Sequence, residues 1–150
     1  MKIIITAALL AVITFYSLSF AGEANNKECL EYEPETVRVS GVIRPQIFAG
    51  PPEFSNVEEG DEPILYWILH LDKPICINES PISPVINFAE RNIEKLHLVI
   101  TSVDNLYNRR KYLLGKDVVL TGSLYHRITI WHRTKALIYV YGIALNKGKI

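Results

Sequence analysis

A small, mainly β domain, a five-stranded OB-like Greek-key barrel with one short helix between strands 3 and 4, is the fold this sequence predicts. Three features predict it. Five stretches read as strands with two faces at period two, the first with one wet face and the central one apolar on both faces at its start. One stretch with helical spacing separates the third from the fourth, which is the element order of an OB-fold. The first and fourth stretches also match in residue type, Val37-Arg-Val-Ser-Gly41-Val-Ile43 against Val118-Val-Leu-Thr-Gly122-Ser-Leu124, with a glycine at the same inward position. Glycine weakens a strand, and the usual reason to keep one there is a coil where a sheet closes on itself.

Ahead of the barrel, Met1-Lys2 is a positive start, Ile3 to Tyr16 is apolar, and Ser19-Phe20-Ala21 sets small residues where a signal peptidase reads. Residues 1–21 are therefore expected to be a secretory signal peptide. The apolar run is shorter than the ~20 residues of a bilayer span, so no membrane span is expected after cleavage. Residues 22–28 are a polar lead-in expected to be disordered, and residues 29–150 are expected to form a single domain. An exported chain with two cysteines pairs them, and a Cys29–Cys76 disulfide would close a loop of nearly fifty residues.

The elements follow in order. Thr36 to Arg44 is the first strand, with Val37, Val39, Gly41 and Ile43 on one face and Arg38, Ser40 and Arg44 on the other. Gln46 to Glu62 is a long loop, because Pro51-Pro52 blocks ladder pairing, and it carries Phe48 and Phe54. Ile64 to Cys76 is the central strand and the most apolar run after the signal segment; Lys73-Pro74 ends its regular pairing. Asn78 to Pro84 is a turn region and Asn92 to Thr101 the third strand. Asp104 is placed to cap a helix of roughly ten residues that Gly115 stops. Lys116 to Arg127 is the fourth strand. In the last, Lys135 to Leu145, Ala136, Ile138, Val140 and Gly142 oppose Leu137, Tyr139, Tyr141 and Ile143.

Loss of Lys2 leaves 15 basic against 16 acidic side chains. Such a neutral domain is not expected to bind nucleic acid, where phosphate neutralisation supplies the affinity. The charge is uneven, however: ten acids and three bases lie between Gly22 and Leu65, six acids and twelve bases after it.

Taken together, Cys29-Leu-x-Tyr32-Glu33-Pro34, Phe48-x-Gly50-Pro51-Pro52, Gly60-Asp61, Tyr66-Trp67-Ile68-Leu69-x-Leu71, Pro74-x-Cys76 and Leu114-Gly115-Lys116-x-Val118-x-Leu120-Thr121-Gly122-x-Leu124 resemble a bacterial exported family, domain-of-unknown-function family 4431. The resemblance implies a bacterial exported protein and brings no activity with it. Members of that family carry a histidine-rich hairpin after the fourth strand, of which only His126 and His132 remain here.

No Gly-x-Ser-x-Gly turn, His-Glu-x-x-His helix or phosphate-binding glycine loop is present, so no catalytic residue is nominated and no cofactor is expected. His126 and His132 flank a hairpin without a third ligand in register, and both are expected to be exposed rather than metal-bound. Binding fits the residue types better. The ligand face of an OB barrel is built from strands 2 and 3 and from the first and last hairpin loops. Mapped onto this chain, that face offers Phe48, Phe54, Tyr66, His70, Tyr125, His126, Trp131, His132 and Arg133. The expectation is a non-enzymatic binding module for a protein or envelope glycan, periplasmic or secreted. An inhibitor or immunity protein against an envelope-degrading enzyme is a sharper form of it, and a metal-dependent enzyme is the alternative from another class.

Overall fold

The structure, a computed structural model, describes residues 29–100 and 106–148. The expected signal peptide, the lead-in and the Asp104 cap lie outside the described residues. Strands β1 (Val37–Ala49), β2 (Pro63–Ile77), β3 (Glu90–Val99), β4 (Asp117–His126) and β5 (Ala136–Leu145) close into a barrel in the order β1-β2-β3-β5-β4. Neighbours run antiparallel except β3 and β5, which are parallel. This is the five-stranded barrel that the alternation predicts.

The matched glycines sit at its corners. β1 pairs with β4 through Val37–Val42 and with β2 through Gly41–Ala49, so the strand passes from one partner to the other at Gly41 and Val42. A Cβ on Gly41 would land on the backbone carbonyl of His70, and one on Gly122 on that of Tyr139. Around these corners the inward residues Val37, Val39, Ile43, Val118, Leu120 and Leu124 join Trp67, Leu69, Leu96, Leu98 and Ile138 in one core.

Three elements differ from expectation. β1 continues through Pro45 to Ala49, so the loop begins only at Gly50. Beyond Val42 the strand pairs with β2 alone, an edge position where a proline is tolerated. The ten-residue helix is instead a four-residue α1 (Leu106–Arg109) followed by a 3-10 turn over Lys111–Leu113. Asn108, Arg109, Lys111 and Tyr112 are exposed, while Leu113 is buried and Leu114 packs against the core beyond the last turn. In β5, Thr121 pairs with Gly142 and Gly122 with Val140, leaving Tyr141 as a bulge. The extra residue reverses the alternation and turns Ile143, expected opposite Ile138, back onto the core.

The Cys29–Cys76 disulfide is formed, with the two Cα atoms 4.7 Å apart. Beside it, Leu30 bridges Ile77, its N–H donating to the Cys76 carbonyl at 2.8 Å. Tyr32 is 2% exposed and its hydroxyl donates to the Phe88 carbonyl. Burial, reinforced by the Glu90 charge, pushes the Tyr32 phenol up to about 12.

Candidate functional site

On the outward side of the barrel Ile68 pairs with His97 and His97 with Leu137. A row facing away from the core should be wet, yet all three are buried. The cause at His97 is the segment between β4 and β5, which turns back over it. The His97 N–H donates to Thr134 Oγ1 at 2.8 Å, and the Arg133 N–H donates to His97 Nδ1 at 3.4 Å.

This return carries Arg133 into a ring of aromatics. Its Cζ lies 5.0 Å from the Tyr66 ring centre, 5.4 Å from Phe48, 5.9 Å from Phe54 and 6.0 Å from Trp131. β1 supplies Phe48, β2 supplies Tyr66, the first loop supplies Phe54 and the hairpin supplies Trp131. The rings meet edge to face, Phe54 with Trp131 at 4.8 Å and Phe48 with Tyr66 at 5.9 Å, the arrangement that ring quadrupoles favour. Cation–π attraction holds the charge in place. Two guanidinium nitrogens, Nε and Nη2, are buried with no hydrogen-bond partner.

Asp61 shapes the loop that presents Phe54. Its carboxylate accepts from the backbone N–H groups of Glu53, Ser55 and Asn56 at 2.8, 2.6 and 2.8 Å. Desolvation pushes this carboxyl up, but hydrogen bonds from the backbone of Glu53, Ser55, Asn56 and Phe54 outweigh it and hold the pKa below 3.8. Phe54 at the centre of this clamp takes φ 58°, a left-handed conformation that a bulky residue adopts only when its surroundings impose it. Gly50 and Glu62 close the base of the loop with a 2.7 Å backbone hydrogen bond.

Under the cluster, Tyr66 meets the His97 ring edge to face at 4.7 Å. Burial first, then the charges of His132 and Arg133, lowers the His97 pKa from 6.5 to about 4. Its unfolded chain therefore takes up a proton below pH 6.5 that the folded protein refuses until about pH 4. Stability is expected to be full above pH 6.5 and to fall progressively between the two values. Denaturant melts at pH 7 and pH 4.5 check this, and His97→Gln should flatten the difference between them.

The other nominated residues lie elsewhere. Tyr125, His126 and His132 line a separate groove of about 390 Å³ with Ile86, Val99, Ile128 and Leu137. His126, expected to be exposed, is only 8% exposed. Its ring packs on Phe88 at 3.9 Å, and its nitrogens contact Glu90 Oε1 at 3.1 Å and the Arg127 carbonyl at 2.9 Å. Phe88 and Glu90 lie far upstream in the chain, which is why a local reading left this histidine in solvent. His132 accepts the Ile128 N–H on Nδ1, and burial with the Arg127 charge lowers its pKa. A hydrogen bond to Glu33, aided by burial, pushes Tyr125 up to about 12. His70 stays apart, beside Lys95 across the β2–β3 ladder. Among the described residues no group of three or more His, Cys, Asp or Glu side chains converges to hold a metal. Asp61 and His97 are the site residues that sequence reasoning missed. A carboxylate directly after the Gly60 turn was the available signal for the first; no local signal marked His97, which faces outward and is covered by the returning hairpin.

Fold and site together define a disulfide-braced small β-barrel whose outer face is covered by its own hairpin, with an arginine set among aromatic rings. Residues 95–144, from β3 through β5, match the model of the family described as Domain of unknown function (DUF4431), a likeness confined to that third of the chain. That segment includes Trp131 and Arg133 and leaves Phe48, Phe54 and Tyr66 outside. No curated protein and no solved structure matches the chain.

Proposed function

We propose that this protein is an exported, non-enzymatic binding module that recognises a protein or an envelope glycan of its bacterial host through the aromatic side chains of its first loop and last hairpin. The observation that carries the reading is the Phe54–Trp131 pair. Two rings from different loops are brought 4.8 Å apart at the surface, and Trp131 remains 45% exposed. A tryptophan needed only for folding would be covered, whereas half-exposed aromatics beside an arginine are the usual anchors of interfaces. The disulfide favours an oxidising compartment, periplasmic or extracellular. Among the described residues no helix is long and apolar enough to cross a membrane.

Co-sedimentation of the mature protein with isolated envelope polymer from its host tests the reading. Trp131→Ala combined with Phe54→Ala should lower the bound fraction about ten-fold, as removal of a paired anchor does, while the thermal melt stays cooperative. Equal binding by the double variant would sink the site assignment.

A further inference from the structure

We infer that the ligand of this site is a carboxylated sugar, its carboxylate gripped by the Nε and Nη2 edge of Arg133 and its ring stacked on Trp131. The inference rests on the binding-module reading and names the chemistry of that same site.

Guanidinium geometry carries the argument. Nε–H and the outer Nη2–H project side by side from one edge of the plane, the pair that holds a carboxylate through two parallel hydrogen bonds. In this protein those are the two nitrogens buried without a partner. Buried polar groups are nearly always satisfied, and a particular exception asks for an explanation such as an absent ion. The aromatic rings fix the charge, but no oxygen, the Tyr66 hydroxyl included, accepts from Nε or Nη2. Nor does a carboxylate of the chain supply one: among the described residues both ion pairs fall on Glu90, with His126 and with Lys135.

The surroundings draw in an anion. Arg133 also lines a second groove of about 390 Å³ with Lys95, Arg127 and Lys135, against one acid, Glu94. Burial lowers the pKa of His97 and of His132, and the charges of His132 and Arg133 at the first and of Arg127 at the second add to it. The Phe54 loop, by contrast, exposes Glu53, Glu58, Glu59 and Glu62, which repel a continuous polyanion. An isolated carboxylate on an otherwise neutral body suits both sides. The open indole of Trp131 provides a flat apolar surface for the C–H face of a sugar ring. Because the fork edge is covered in the free protein, entry requires the rings around it to shift.

The test is an NMR and tryptophan-fluorescence titration of the mature, oxidised protein with a neutral trisaccharide bearing a single terminal galacturonate, its methyl ester, and sodium sulfate. The acid should shift the Arg133 Nε–H resonance saturably and should bind at least ten-fold tighter than the ester. Arg133→Lys keeps the charge but loses the fork, and should weaken the acid at least ten-fold. Trp131→Ala, at an exposed position, should weaken acid and ester alike. Equal affinity for acid and ester, or no loss in Arg133→Lys, would overturn the carboxylate assignment while leaving a glycan-binding module in place. Sulfate, or a peptide binding through its C-terminal carboxylate, competing as well as the trisaccharide would show that the sugar is not recognised. If the acid does not bind saturably at millimolar concentration the inference fails, and the envelope co-sedimentation above then decides the broader reading separately.

Discussion

Gly41→Ala and Gly122→Ala should each destabilise the barrel by about 3 kcal/mol or more, among the largest effects of any single substitution in this chain. The added Cβ meets backbone rather than a movable side chain, the His70 carbonyl in one case and the Tyr139 carbonyl in the other. Relief would require β1 and β2 to move apart at the corner where β1 changes partners for Gly41, and β4 and β5 to move apart beside the Tyr141 bulge for Gly122. For a domain of this size the loss corresponds to a fall in Tm on the order of 10 °C. Gly142→Ala is the control, since its Cβ would meet only Thr121 Cβ at 4.0 Å and the melt should scarcely move. If all three alanine variants melt alike, close strand approach is not what the two matched glycines are for.

Removal of the disulfide by Cys29→Ser with Cys76→Ser should cost about 4 kcal/mol on chain-entropy grounds. The bridged cysteines are 47 residues apart, so opening the link frees a long stretch of the unfolded chain. The loss has a structural side too. Leu30 bridges Ile77 next to the bond, and Tyr32 behind it fills the end of the barrel. Reduction should therefore lower the melt by on the order of 10 °C and raise exchange at the Leu30 and Asn78 amides, which donate to Cys76 and Leu30. An unchanged melt under reducing conditions would mean that the bond adds nothing to the packing beside it.

The barrel was legible because its strands obey period two and its corners need glycine; both signals are local. Of the site, Phe48, Phe54, Tyr66, Trp131 and Arg133 were legible as residue types on the loops and strands of one barrel face, and the structure brings them around one guanidinium. What could not be read is burial produced by a return of the chain. Ile68, His97 and Leu137 point outward by register and are nevertheless covered. His126 is enclosed by Phe88 and Glu90, residues almost forty positions earlier. The Tyr141 bulge escaped for a related reason, since one extra residue inverts every later position in a strand without leaving a mark in composition.

The most direct test of the account is a backbone and indole NMR shift map of the mature protein titrated with soluble glycan fragments from its host envelope. The account predicts the largest shifts at the Trp131 indole N–H, with Phe54, Tyr66 and the Arg133 Nε–H close behind. A map centred on the groove of Tyr125, His126 and His132, or on the cleft between Cys29–Val37 and Ser80–Ile82, with the Trp131 signal unmoved, would contradict it.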